Sequence, residues 1–482
     1  MKQPVILIID QGTSSTKGFI LNRHFQQIYS EKIPHKITRS KPGRVECDAA
    51  EIAEGCQTLL HSLANICANH SLSPAGLGMA FQRSTFLFWD RTTKKPLTPA
   101  MSWQDTRAHN VVNRMNEHRE WIQQTTGIPL TAHFGGPKFL HSIQKHPTIK
   151  QKILNGDAIF GPLSSFVTHT LTGNLVLDES IAGRSLLLDL QKVVWDEKLL
   201  DLFHVPTTCL PELTPTVTTF GNVNNIPLLC VIGDQQASVI GQGRWNRGDV
   251  AMNYGTSGSV LMNSGNEVTI IPSLLTNILF STFDKRYFLL EGTINGVGAL
   301  FRWLEKYLDI PHRKMKWETR CTESTDGIMI PGINGLASPY WTNEFETKFF
   351  NLSSGIHPNK FVRAGMESIG FLVYDIYEII RKESNITFCD ITTSGGNARP
   401  PLLQFIADLL NIPVHASKEK DMTALGVAKL VAGQLWGFDN MQRYEKKALE
   451  KSYTSAMSPV ERNKKIQQWQ NALQALNIHP KT

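Results

Sequence analysis

The chain opens on an apolar run, Val5-Ile6-Leu7-Ile8-Ile9, followed by the polar turn Asp10-Gln11-Gly12-Thr13-Ser14 and a second apolar stretch, Lys17-Gly18-Phe19-Ile20-Leu21. Runs this short, bounded by glycine and polar residues, predict a strand, a tight turn and a second strand rather than a helix. The pattern returns in the other half of the chain, where Asn253-Tyr254-Gly255-Thr256-Ser257 leads into Ser259-Val260-Leu261-Met262. Glycine lets other groups approach the main chain closely, and each turn adds backbone N–H groups and two hydroxyls, a suitable cradle for phosphate oxygens. One such turn would pass for an ordinary hairpin. Two, one in each half, predict a phosphate chain gripped between two lobes.

Between the hairpins the periodicity alternates between helix and strand. Ile52, Leu59, Leu60, Leu63 and Ile66 mark a helix over residues 49–68. Gly76-Leu77-Gly78-Met79-Ala80-Phe81 reads as a strand ending at Gln82-Arg83-Ser84, and Phe86-Leu87-Phe88-Trp89-Asp90 is expected to continue the same sheet. Polar residues at a strand end are where open α/β sheets collect ligands. Ile226-Pro227-Leu228-Leu229-Cys230-Val231-Ile232 reads as a buried strand, with Pro227 tolerated near its start. It enters Gly233-Asp234-Gln235-Gln236 and the helical Ala237-Ser238-Val239-Ile240, which places Asp234 at a strand-to-helix junction.

A boundary near Gly241-Gln242-Gly243 divides the chain into residues 1–244 and 245–482. In the second part, Glu291-Gly292-Thr293-Ile294-Asn295-Gly296-Val297-Gly298 precedes a helix beginning at Ala299, and a long helix is expected over 361–382. A strand Ile386-Thr387-Phe388, the loop Thr392-Thr393-Ser394-Gly395-Gly396-Asn397 and a helix over 401–410 follow. A capping box, Ser458-Pro459-Val460-Glu461, opens a final helix carrying Ile466, Trp469, Leu473 and Leu476 on one face, and the terminal helices could pack back on the rest of the chain.

Composition narrows the function. At 482 residues the chain exceeds a single core, and 41% hydrophobic with 19% charged residues is a globular composition. No run reaches the ~18 apolar residues of a membrane helix. Met1-Lys2-Gln3-Pro4 runs directly into the first strand, leaving no room for a signal peptide, so a cytoplasmic location is expected. Cys47, Cys56, Cys67, Cys209, Cys230, Cys321 and Cys389 show no C-x-x-C spacing and read as buried, reduced thiols. The net charge of +7 suits an anionic ligand such as a nucleotide, yet part of it falls in Lys446, Lys447, Lys451, Arg462, Lys464 and Lys465, read as the solvated face of terminal helices. Nucleic-acid and membrane partners are not expected.

Together these motifs, with Ser338-Pro339-Tyr340-Trp341 and Thr423-Ala424-Leu425-Gly426, resemble the FGGY family of carbohydrate kinases, which contains glycerol kinase and xylulokinase. The similarity covers essentially the whole chain. It implies an α/β, two-lobed actin and sugar-kinase fold with ribonuclease-H-like domains flanking a central cleft. The sugar-binding lobe, first phosphate loop and catalytic base would lie in residues 1–244 and the nucleotide-binding lobe in 245–482. It implies ATP and magnesium as cofactors. Dimers are frequent in the family, so a homodimer is compatible with the resemblance, although no interface signature stands out.

The resemblance also implies roles. Asp234 matches the catalytic base, which takes the proton of the attacking hydroxyl; its alternative is a helix N-cap. Asp10 matches the carboxylate that holds magnesium, through water, with an Asx turn as the alternative. Gly12, Thr13, Ser14, Gly255 and Thr256 match the two phosphate loops, and Gly298, Gly395 and Gly396 match positions where the nucleotide lies against bare backbone. Asn397 reaches the adenine edge or stabilises its loop. On the acceptor side Arg83 and Gln235 match glycerol kinase, but Ser84 stands for the family's glutamate, His133 for its tyrosine and Ser259 for its phenylalanine. Trp103-Gln104-Asp105-Thr106-Arg107 looks like the Trp-Asn-Asp segment of xylulokinase and offers Asp105 to sugar hydroxyls. The mosaic favours a ketopentose or sugar-alcohol acceptor over glycerol itself. A non-catalytic, regulatory ATP-binding homologue is a further alternative.

Overall fold

A computed structural model of the chain describes residues 2–353, 355–438 and 449–481. Two large sheets organise it. In the first, strands Gln3–Gln11, Ser15–Asn22 and Gln27–Pro34 form an antiparallel meander, and Leu72–Phe81 and Ile226–Gly233 add on the other side of Gln3–Gln11 in parallel. The second repeats the order: Val250–Tyr254, Gly258–Gly265 and Arg286–Ile294 run antiparallel, with Ile391–Ser394 and Val414–Ser417 added in parallel beside Val250–Tyr254. The two hairpin turns seen in the sequence therefore occupy equivalent places in a duplicated fold.

The unbroken apolar run of the first strand has a simple cause, burial on both faces. Val5, Leu7 and Ile9 pack towards the helix Ala49–Asn69, while Ile6 and Ile8 join a second cluster on the opposite face. That second cluster gathers Ala80, Ile232 and Ile240 with Ala251, Leu261 and Leu289 of the other sheet, and with Val427 and Val431 of helix Met422–Trp436. This late helix lies on the helix Asp234–Gly241, and glycines set the distance: a Cβ on Gly426 would fall 1.8 Å from Ala237 O, and one on Gly241 1.9 Å from Met422 O. Among the described residues no helix is long and apolar enough to cross a membrane.

Several sequence expectations change. Phe86–Asp90 does not continue the first sheet but pairs with Ala158–Pro162 in a separate five-stranded sheet, because the chain turns at Ser84, whose φ is 61°. Ile386, Thr387 and Phe388 are not a strand: Ile386 and Phe388 pack from a loop into the core built on Val250–Tyr254 and the helix Pro358–Ser384, and pairing begins at Ile391. Cys389 is exposed, unlike the other six cysteines. Lys465 is buried, donating to Glu367 Oε2 and Thr325 O at 2.8 Å each, so it is not part of a solvated face. Lys451 lies in a strand, Leu449–Tyr453, and Lys446 and Lys447 lie outside the described residues. Ser458 forms the N-cap half of the expected capping box, accepting from Glu461 N–H at 3.2 Å, and Trp469 stacks on Phe371 with ring centroids 4.9 Å apart.

Candidate active site

The register of the first sheet assembles the site. Gln11 and Gly233 both pair with Phe81, so the parallel strands end level and Asp10, Arg83 and Asp234 meet at the carboxyl edge of one sheet. Asp234 opens its helix, but the N-cap is Gly233, so its carboxylate is not spent on capping. Gly233 is itself fixed, its N–H donating to Ser180 Oγ at 3.1 Å, and Ser180 in turn donates to the buried Asp178 at 2.5 Å.

Asp234 accepts from Gln235 N–H at 2.8 Å and lies 3.7 Å from Arg83 Nε, too far for a direct hydrogen bond, with its side chain 26% exposed. Burial raises its pKa, partly offset by Arg83, which brings a carboxylate nearer to the working range of a general base. Arg83 is held elsewhere: its Nη1 and Nη2 donate to Glu291 at 2.8 and 2.9 Å, and Arg184 donates to the same carboxylate. Burial alone would raise the Glu291 pKa, but Arg184 and Arg83 hold it at about 2. Glu291 thus engages both Nη donors of Arg83, leaving its Nε to approach Asp234 at 3.7 Å.

The acceptor side is a set of loops tied to one another. Lys138 is buried and donates to Ser84 O and Ser102 O at 2.7 Å and Met101 O at 3.3 Å, using its three N–H bonds on carbonyls. Burial pushes its pKa down to about 7. His133 Nδ1 pairs with Trp103 O at 2.8 Å; a carbonyl can only accept, so Nδ1 carries the proton and Nε2 is left as an acceptor. Burial lowers the His133 pKa, which keeps that neutral form. Trp103 is 38% exposed and is not core. Gln235 Oε1 lies 3.5 Å from Asn253 Nδ2 of the other sheet.

Asp105 departs from its expected role. It is fully buried, and both oxygens accept from Arg107, with Val45 N–H donating to Oδ2 at 2.7 Å. A carboxylate so satisfied anchors its own loop and has no geometry for a sugar hydroxyl.

The two loops expected to cradle phosphate come one from each sheet. Gly12 N–H turns back on Ser15 O at 3.0 Å and Gly255 N–H on Ser257 O at 2.9 Å, which pushes Thr13, Ser14 and Thr256 to the tips. Gly395 (φ 100°) and Gly298 serve close packing: a Cβ on either would meet Tyr254 O at 2.5 Å or Gly255 O at 2.9 Å. A Cβ on Gly396 would meet nothing, so Gly396 is the glycine that borders open space. Asn397 Nδ2 donates to Gly255 O at 2.8 Å, which makes it a brace between the loops rather than an adenine contact through that amide.

Asp10 belongs to the first strand, opposite Lys17, and not to an Asx turn. Burial and the charge of Asp234 push its pKa up to about 7, against the pull of Lys17, whose Nζ pairs with Asp421 at 2.6 Å. Two neighbouring carboxylates with this unrelieved charge suit a hard divalent cation. Among the described residues no group of three His, Cys, Asp or Glu could hold a metal; the carboxylate of Asp10 is a hard oxygen donor of the kind magnesium takes together with phosphate oxygens and water.

Known proteins converge on the same reading. The model for the FGGY family of carbohydrate kinases, N-terminal domain, matches residues 5–243, and the model for the C-terminal domain matches residues 250–434. The chain belongs to the FGGY family of carbohydrate kinases. This FGGY kinase is 31% identical over 497 residues to glycerol kinase of Staphylococcus epidermidis, with 98% of each chain covered, and 31% identical to glycerol kinase of Acidiphilium cryptum, with 97% of each covered. The crystal structure of Plasmodium falciparum glycerol kinase with ADP superposes at TM-score 0.92 and 30% identity over 99% of both chains. Xylulose kinase from Lactobacillus acidophilus shares the fold at TM-score 0.87 and 21% identity over 98% of both. The protein is therefore a phosphotransferase with an alcohol group as acceptor, on the two-lobed actin and sugar-kinase fold.

Sequence reasoning missed several residues that the structure of this FGGY kinase brings against the candidate site residues. Glu291 was visible only as the start of a glycine-rich segment, and its role rests on two arginines distant in sequence. Arg184 follows Gly183 with no motif around it. Lys138 follows His133 by five residues, but nothing local says that a lysine there is buried. His35 Nε2 lies 2.9 Å from Thr13 O, a contact with no sequence signal.

Proposed function

We propose that this kinase transfers the γ-phosphate of ATP to a hydroxyl of glycerol. The observation that carries the reading is the pair Arg83 and Asp234, facing each other at 3.7 Å beside Gln235. The feature that favoured a ketopentose, Asp105, is consumed by Arg107 and Val45. The identities to glycerol kinases over nearly the whole chain point the same way.

In this reading Arg83 Nε and Gln235 orient the acceptor, and His133 Nε2 accepts from one of its hydroxyls. Asp234 removes the proton of the attacking hydroxyl as its oxygen bonds to the γ-phosphorus; the bond to the β-bridging oxygen breaks and ADP leaves. Thr13, Ser14 and Thr256 donate to the phosphates. A magnesium ion held beside Asp10 would neutralise phosphate charge. The halves 1–244 and 245–482 act as lobes whose closure excludes water, so that the polyol and not water is phosphorylated. Ser84 and Ser259, smaller than the groups that they replace, favour a second reading in which a four-carbon polyol is also accepted.

The test is ADP release by the purified protein with ATP and magnesium across glycerol, tetritols, pentitols and ketopentoses. Glycerol is expected to give the highest kcat/KM, and Asp234→Asn to abolish turnover while nucleotide binding persists. A ketopentose preferred over every polyol would overturn the glycerol reading.

A further inference from the structure

Trp103 is an exposed indole whose N–H does not point to solvent. Its Nε1 lies 3.0 Å from Thr13 Oγ1, at the tip of the first phosphate loop, across 90 residues of chain. An indole N–H can only donate, so the Thr13 oxygen accepts and its own O–H must be aimed at a different acceptor. Thr13 O meanwhile faces His35 Nε2 at 2.9 Å, which holds the residue from its other end. The indole is equally well anchored: Trp103 N–H donates to Thr85 Oγ1 at 3.2 Å, Trp103 O accepts from His133 at 2.8 Å, and the preceding Ser102 O accepts from Lys138 at 2.7 Å. The acceptor loop and the phosphate loop therefore share one hydrogen bond between fixed partners.

We propose that Trp103 is a positioning residue of the phosphate site: its N–H fixes the rotor of Thr13 so that the Thr13 hydroxyl is presented as a donor to a phosphate oxygen. The inference rests on the reading of Asp10-Gln11-Gly12-Thr13-Ser14 as a phosphate loop. It also gives His133 and Lys138 a function, since they hold the Trp103 backbone from which the indole reaches across. A pocket wall that packs on an acceptor would act only on acceptor binding; this hydrogen bond acts on the nucleotide.

Trp103→Phe keeps an aromatic ring and removes the N–H. Calorimetric titration of the acceptor-free protein with AMP-PNP and magnesium is expected to show about threefold to tenfold weaker binding than wild type, the scale of one lost hydrogen bond. With glycerol as acceptor the KM for ATP should rise while the KM for glycerol changes less than twofold. Thr13→Val should weaken AMP-PNP comparably, and adding Trp103→Phe to it should cost nothing further, whereas Trp103→Phe added to Thr13→Ser, which keeps the hydroxyl, should still weaken binding. Unaltered thermal midpoints certify the fold of each variant. If Thr13→Val weakens AMP-PNP but Trp103→Phe does not, or the two add fully, the positioning role is wrong. If Thr13→Val itself leaves AMP-PNP affinity unchanged, the phosphate-loop reading beneath it falls instead.

Discussion

Asp10 is a side chain whose use and whose burial pull in opposite directions. Ionised, it can face a cation; buried beside Asp234, its charged form is disfavoured and its pKa rises from 3.8 to about 7. Because the folded value lies above the unfolded one, protonation favours the folded chain. That contribution is fully present below about pH 4 and is lost as the pH rises through about 7. Asp10→Asn has no charge to bury, so it is expected to stabilise the nucleotide-free protein at pH 8 by about 1–3 kcal/mol, to converge with wild type towards pH 4, and to lose turnover. Denaturant titrations across that range check it; a pH-independent difference would show that the charge is not the cause. At this scale the sequence marks the chemistry of a residue and not its commitments. Asp10 and Asp105 are both carboxylates next to polar loops, yet one has charge left over and the other is saturated by Arg107.

Among elements, the contact between helices Asp234–Gly241 and Met422–Trp436 matters most, because Asp234, the proposed base, stands on the first of them. Thr423-Ala424-Leu425-Gly426, read as a family motif, proves to be a packing device: Gly426 lets the helix backbones touch, and Thr423 Oγ1 reaches Asp234 O at 3.4 Å. Gly426→Ala must push the helices apart. We expect a stability loss of about 1–3 kcal/mol in denaturant titration, with kcat falling more than nucleotide affinity; a variant with wild-type midpoint and kcat would show that the close approach is dispensable. Ile386-Thr387-Phe388 illustrates the converse error. Its apolar, β-branched composition is a true burial signal, but burial is met by a loop, and strand pairing is decided by neighbours at 250–253 and 414–416 that local composition does not contain.

Across the whole molecule, the two halves share apolar clusters and a buried charge cluster. Glu291 comes from the second sheet, Arg83 and Arg184 from the first half of the chain. Glu291→Gln leaves the two guanidinium groups short of an anion, and Asp234 is the nearest remaining one to Arg83. Breaking a buried pair in this way costs about 3–5 kcal/mol. Arg83 closing on Asp234 would lower the pKa of the base, so the acid limb of the kcat profile should move to lower pH while the maximum rate falls. Urea midpoints and pH–rate profiles test this; an unmoved acid limb would show that Glu291 does not shield the base.

The sequence by itself determined the duplicated hairpins, the alternation of helix and strand and the place of Asp234 at a strand-to-helix junction, because these rest on short-range signals: burial on both strand faces, glycine turns and a charged residue at a strand end. The tertiary structure decided which charges remain available. Asp105 was withdrawn, Glu291 and Arg184 were added, and Trp103 was joined to Thr13, each through partners far apart in sequence. Availability depends on who satisfies whom, and that is settled only when distant segments are brought within hydrogen-bonding distance.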